Sequence, residues 1–154
     1  MIPEEMQKCI GMVDPPTVYE VEKGAIRRYA DSVGDDNPLY RDEEYAAKSK
    51  YGSIIAPPGF FGWAVSTTPM GGAVGTVITA AMNAGYFRIL DAGKSYEFFL
   101  PVRAGDTLIG SPVIDDIAEK EGKSGPMFVI NFKTAYLNQN GDLVANAYQN
   151  IICR

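Results

Sequence analysis

The chain has 154 residues, 46% of them hydrophobic and 21% charged, which suits one domain with one buried core and is too short for two. A net charge of −5 argues against a nucleic-acid footprint. There is no histidine, and the two cysteines, Cys9 and Cys153, lie near opposite ends, so a structural zinc site is nearly excluded and reduced thiols are expected.

The opening MIPEEMQK lacks a basic n-region followed by an apolar stretch, so it does not read as a secretion signal. TVYEV (Thr17 to Val21) reads as a short strand. A helical pattern follows, with Ala25, Ile26, Tyr29, Ala30 and Val33 on one face and Lys23, Arg27, Arg28 and Asp31 on the other; Gly34 is placed to end it. A second short helix is predicted from Asp42 as N-cap, with Glu43 and Glu44 in its first turn, Lys48 and Lys50 in its last and Gly52 at its stop.

Next comes IIAPPGFFGWAVSTTP, Ile54 to Pro69. Pro58 suits a first helical turn, Pro69 a helix end, and Phe60, Phe61, Trp63, Ala64 and Val65 leave no polar face. A buried helix over Pro58 to Val65 is therefore expected. The run GGAVGTVITAAMNAG is too short to span a membrane and lacks the Gly-Lys-Ser/Thr ending of a phosphate loop; it reads as a mobile segment.

The second half is strand-like: YEFFLPV (Tyr96 to Val102), TLIGSPVIDDI (Thr107 to Ile117), MFVINFKTAYL (Met127 to Leu137) and LVANAYQNIIC (Leu143 to Cys153). Asn138 to Asp142 supplies a hairpin turn between the last two. Phe128, Ile130, Phe132 and Tyr136 alternate as on a half-buried antiparallel sheet. The predicted fold class is α+β, an antiparallel sheet wrapped around a central apolar helix.

One short segment speaks to chemistry. GDDNPLY (Gly34 to Tyr40), with YEVEKGAIRRYADSV before it and IIAPPGFF, PVRAGDTL and NGDLVANAYQNI after it, resembles the MaoC-like dehydratase family. The resemblance is to its N-terminal-type (FAS1-like dehydratase) hot-dog domains, such as the small subunits of mycobacterial hydroxyacyl-ACP dehydratases, and covers nearly the whole chain. It implies one hot-dog domain over residues 1–154, no cofactor, and an acyl-CoA or acyl-ACP thioester as ligand. In catalytic members the loop runs Asp-x-Asn-Pro-x-His, and its Asp and His activate water and move a proton at the thioester α-carbon. Asp35, Asn37 and Pro38 match, but Tyr40 stands in the histidine's place. A phenol with a pKa of about 10 donates a hydrogen bond at neutral pH and rarely accepts a proton. The family's Ala-His-Gly entry to the buried helix departs as well: aligned on Ala56, its glycine falls on Pro58, which has no N–H, and Gly59 offers an amide one residue on.

The resemblance with these departures implies a non-catalytic subunit of an (R)-specific enoyl-thioester hydratase or 3-hydroxyacyl dehydratase. Asp35, Asn37 and Tyr40 would be its degenerate site, and Gly59, Phe60 and Trp63 its acyl-binding side. Its expected partner is a MaoC-type catalytic chain, since a second hot-dog unit must come from another polypeptide; homodimerisation is the alternative. Competing readings are an active homodimer using Asp35 without a histidine and an acyl-thioester-binding module; a thioesterase ranks last of the enzymatic readings. Lys94 and Arg103 are candidate contacts for CoA or carrier phosphates, weighed against ordinary solvated cations. The expected location is cytoplasmic.

Overall fold

The computed structural model describes residues 1–65, 72–122 and 125–154. In chain order these form α1 (Glu4–Gln7), β1 (Thr17–Glu20), α2 (Lys23–Ser32), a 3-10 turn (Pro38–Tyr40), α3 (Glu43–Lys48), β2 (Trp63–Ala64), α4 (Ala73–Asn83), β3 (Ile89–Phe98), β4 (Thr107–Gly122), β5 (Gly125–Leu137) and β6 (Leu143–Cys153). The strands make one six-stranded antiparallel sheet in the order β2-β1-β4-β5-β6-β3.

Alternation sets the two faces of this sheet. On β5, Phe128, Ile130 and Phe132 point to the core, while Met127, Val129 and Asn131 point outward. Register shifts at Ile114/Asp116, Asp91/Gly93 and Tyr136/Leu137 interrupt the ladders and curl the sheet. Two apolar clusters fill the concave side. One gathers Ala25, Ile26 and Ala30 of α2 with Phe60, Phe61, Leu108 and Val144. The other seats Ala73, Val77, Ala80 and Ala81 of α4, with Met6 of α1, on Ile114, Ile117, Phe128, Ile130 and Phe132. A curled antiparallel sheet laid over a helix is the hot-dog fold, as the sequence implies.

The helix that fills it is not the expected one. Pro58 and Gly59 form a turn, Trp63 and Ala64 pair with β1, and no helix covers Pro58 to Val65. Phe60 and Phe61 are buried as expected, but Trp63 and Val65 are more than half exposed. Pro69, the expected helix end, lies outside the described residues. The central helix is α4, cut from the glycine-rich run read as a mobile segment. Ala73, Val77, Ala80 and Ala81 recur at helical spacing and bury together. Its N-terminus is fixed from a distance: Asp14 is 7% exposed, and its carboxylate accepts the Ala73 N–H. Gly72 makes room for that contact, because a side chain there would overlap the Asp14 carboxylate. Asp14 is held in turn by its own strand-like segment, with Val13 bridged to Val113 of β4 and the Asp14 N–H donated to the Pro112 carbonyl at 2.8 Å.

Strand β3 begins at Ile89, seven residues before the expected strand, and forms one edge of the sheet. It is exposed over nearly its whole length. Val33, expected on the buried face of α2, is 57% exposed beyond the helix end.

Candidate functional site

The loop after α2 is shaped by its own side chains. Gly34, at φ +71°, turns the chain out of the helix, and Asp35 donates its N–H to the Ala30 carbonyl at 2.9 Å. The Asp35 carboxylate then accepts the Asn37 N–H at 3.1 Å, and the Asn37 side-chain oxygen accepts the Leu39 N–H at 3.0 Å. Two consecutive Asx turns and the fixed φ of Pro38 drive the chain into the 3-10 turn. Arg41 clamps the result, donating to the Asp35 carbonyl at 2.6 Å and pairing with Asp31 on α2 at 3.0 Å.

The turn delivers Tyr40 inward, where it is 7% exposed. Burial, then the charge of Asp35, then Tyr51 push its phenol above its ordinary pKa. At neutral pH Tyr40 is a neutral hydrogen-bond donor and not a base.

Tyr40 forms part of a cleft of about 430 Å³ beside the loop. Asn37, Leu39 and Tyr51 share that wall, Ile55 to Pro58 and Phe60 make the floor, and Phe98, Phe99 and Leu100 make the far side. An apolar concavity with a few polar groups at one end has the form of a small-molecule site. A larger groove of about 630 Å³ lies elsewhere, rimmed by Glu20, Glu22, Glu43 and Asp106, with Lys23 paired to Glu43 at 2.7 Å. Its acidic rim would repel an anionic ligand, so the smaller apolar cleft is the candidate site.

Of the residues singled out from sequence, Asn37, Tyr40 and Phe60 meet in this cleft. Asp35 stands behind the wall, its carboxylate engaged by Asn37, and is not among the lining residues. Gly59 sits under Tyr96, where an added side chain would lie 3.5 Å from the ring. Trp63 packs edge-on against Phe60 at 5.4 Å and is 54% exposed outside the cleft. Arg103, a candidate phosphate contact, donates instead to the Tyr51 carbonyl and, at 3.0 Å, to Ser53. Lys94 lies exposed on β3.

Sequence reasoning missed Tyr51 and the Phe98-Phe99-Leu100 wall. The apolar run containing these last three was read only as a strand, although its consecutive aromatics Phe98 and Phe99 were visible. It also missed an aromatic layer beneath the cleft. Phe61 stacks on Tyr136 at 4.2 Å and 6°, Tyr19 meets Tyr136 edge-on, and Tyr29 stacks on Phe60. Burial, reinforced by Tyr19, pushes the Tyr136 phenol far above its ordinary pKa. Cys9 and Cys153 are buried free thiols whose pKa values are raised mainly by desolvation, the opposite of an activated nucleophile. Among the described residues no group of three His, Cys, Asp or Glu side chains could hold a metal ion, and no helix is long and apolar enough to cross a membrane.

Comparison with known proteins agrees with the fold. Residues 8–147 match the model of the FAS1-like dehydratase domain region. A UPF0336 protein of Streptomyces avermitilis is 31% identical over 150 residues, covering 96% of this chain and 94% of the relative. Among solved structures, the ChsH1-ChsH2 complex from Mycobacterium tuberculosis superposes with a TM-score of 0.82 at 20% identity, covering 97% of this chain and 88% of that one. The HadBC (3R-hydroxyacyl-ACP dehydratase) complex from the same organism superposes at 0.67 with 23% identity, covering 94% and 96%. The chain belongs to the FAS1-like dehydratase-domain family.

Proposed function

We propose that this chain, acting as a single hot-dog unit, is the non-catalytic subunit of a heteromeric (R)-specific enoyl-thioester hydratase or 3-hydroxyacyl dehydratase. The observation that carries the reading is Tyr40: where a proton carrier is needed stands a buried phenol whose pKa is driven upward. Asp35 holds the Asn37 turn with one carboxylate oxygen and does not line the cleft, so no acid–base pair is presented there. The chain would contribute the apolar cleft to an acyl-CoA or acyl-ACP thioester, with Phe60 and the Phe98 to Leu100 wall against the acyl group. The partner would be a MaoC-type chain with an intact Asp…His pair, docked along the open edge of β3. The two-chain naming of the similar ChsH1-ChsH2 and HadBC complexes supports this choice over a homodimer.

The test is hydration of a short and a medium enoyl-CoA, followed by loss of the enoyl-thioester absorbance. The purified chain should show no turnover above background, with wild type and Asp35→Asn alike. Adding a histidine-bearing MaoC-type partner should produce turnover greater than that of the partner alone. Asp35-dependent turnover by the isolated chain would replace this reading with that of an active homodimer. Tight acyl-CoA binding with no turnover in any combination would make the chain a binding module.

A further inference from the structure

The Tyr40 hydroxyl has no hydrogen-bond partner among the described residues, although the side chain is only 7% exposed. A phenol buried this deeply is normally paired, because the water it gives up otherwise goes unreplaced. Among the described residues no fully buried side-chain oxygen lacks a partner, so this hydroxyl is not sealed in the core. It opens into the cleft that Tyr40 lines.

Two more donors stand on the same wall. Asn37 turns its Oδ1 to the Leu39 N–H at 3.0 Å, which leaves its amide N–H groups without a partner among the described residues. Tyr51 is fixed through its backbone: its N–H donates to Ser49 Oγ at 3.1 Å, and its carbonyl accepts from Arg103, which also donates to Ser53. Its hydroxyl likewise makes no hydrogen bond to the described residues. Tyr51 adds to the upward shift of the Tyr40 phenol, so the two side chains are neighbours. No charged residue lines the cleft; Lys50 lies over the Tyr51 ring at 5.0 Å but not in the lining. Three unpaired donors in an uncharged, largely apolar cleft suit a neutral oxygen acceptor, whereas an anion would lose its water there without a paired cation.

We propose that Tyr40 and Tyr51 are specificity-determining residues that, with the Asn37 amide, donate hydrogen bonds to a neutral oxygen of the bound acyl thioester. That oxygen is the thioester carbonyl or a keto or hydroxyl oxygen on the acyl chain. The proposal rests on the reading of the cleft as an acyl-thioester site. Phe60 and the Phe98 to Leu100 wall offer no side-chain hydrogen bond, so the donors set how deep the ligand sits along them. A phenol in the histidine's place keeps a bond to the ligand and gives up proton transfer. A site with buried donors also rejects analogues that lack the acceptor, since the donors are then left unpaired.

The test reads binding and not turnover. Isothermal titration calorimetry of the full chain compares octanoyl-CoA, the S-octyl thioether of CoA, which lacks the carbonyl, and an octanoyl-CoA with a keto group near the chain end. Tyr40→Phe and Tyr51→Phe keep each ring and remove each hydroxyl, and circular dichroism checks their fold. Each should weaken the ligand bearing the recognised oxygen about threefold to tenfold and leave its oxygen-free counterpart unchanged. A loss shared by both thioesters and absent from the thioether identifies the carbonyl; a loss confined to the keto ligand identifies the chain oxygen. The proposal is overturned if no ligand binds, or if the variants weaken all three ligands equally, as a merely structural role would. It is also overturned if neither variant weakens any ligand, which would leave the hydroxyls to water, or if a chain-end carboxylate binds more tightly than the ketone. None of these ligands has the enoyl double bond, so turnover of an enoyl-CoA by the isolated chain would end the non-catalytic reading and leave this one standing.

Discussion

The charge of Asp35 acts on the phenol of Tyr40, adding to burial in holding it protonated. Of two residues that would be an acid–base pair, were Tyr40 a histidine, one thus holds the other in its neutral form. Tyr40→Phe removes the hydroxyl and keeps the ring that fills the wall. In the reconstituted heteromer it should lower kcat/KM by less than about tenfold, whereas loss of a working acid–base group costs about 10²- to 10⁴-fold. Steady-state rates across pH decide the matter: a limb of the wild-type profile that disappears in Tyr40→Phe would give Tyr40 a chemical role.

Asp14 and Ala73 predict a stability effect far from the cleft. The Asp14 carboxylate is the side-chain acceptor at the start of α4, whose own N-cap, Gly72, has none to offer. Asp14→Ala should cost about 1–3 kcal/mol, a lost cap together with a buried N–H left unpaired. Asp14→Asn, which keeps an acceptor of the same shape, should cost roughly 1 kcal/mol or less. Urea unfolding measures both. Equal losses would mean that charge, and not the hydrogen bond, holds the helix.

That contact also explains where sequence reading stopped. The start of α3 was legible because its signals are local: Asp42 accepts the Tyr45 N–H at 3.0 Å, and Glu43 and Glu44 follow; its end comes at Lys48, short of the expected Lys50 and Gly52. The long strands and the Asn138 to Asp142 turn were legible through alternation and turn chemistry, both short-range. α4 was not, because its cap arrives from Asp14, 59 positions away, and its glycines and alanines weaken the apolar signal. Phe60 and Phe61 misled in the opposite sense. They are buried by folding a loop inward, a burial that periodicity does not separate from a helix. At the site, the DDNPLY turn was readable residue by residue, but the Phe98 to Leu100 wall depends on the fold bringing the end of β3 beside Tyr40.

Tyr136 predicts an alkaline limit to stability. Its pKa is raised in the folded chain, first by burial and then by Tyr19, so the folded state holds the proton more tightly than the unfolded chain. Stability is then complete below the unfolded value of about 10 and falls as pH rises from there, by about 1.4 kcal/mol per pH unit for one proton. Tyr136→Phe should cost about 1 kcal/mol at neutral pH, for the lost bond with Tyr19, and should lose less on going to alkaline pH. Denaturant unfolding at about pH 8 and about pH 11 should show the gap between the two proteins closing or reversing. A gap that stays constant would assign the alkaline loss to other groups.

The open edge of β3 yields the prediction on assembly. An exposed ten-residue edge strand followed by Phe99 at 48% and Leu100 at 40% exposure is a site where another strand can pair and apolar side chains can be covered. Phe99 lies next to the last paired residue of β3, with its N–H already donated inward to the Val144 carbonyl at 2.8 Å, so its ring can change without loss of the ladder. Phe99→Lys removes the apolar contact and places a cation on the edge, a change that disfavours strand pairing. It should weaken association with the MaoC-type partner by about tenfold to a hundredfold, or about 1.4–2.8 kcal/mol. The melting temperature of the isolated chain should shift only slightly, because the ring is half exposed already. Sedimentation of the mixture and of each chain alone reads the association, and thermal unfolding of the isolated chain reads the melting temperature. Weakened association with an unchanged fold places the partner on β3; unchanged association places it elsewhere on the molecule, and the cleft would then be closed by this chain alone.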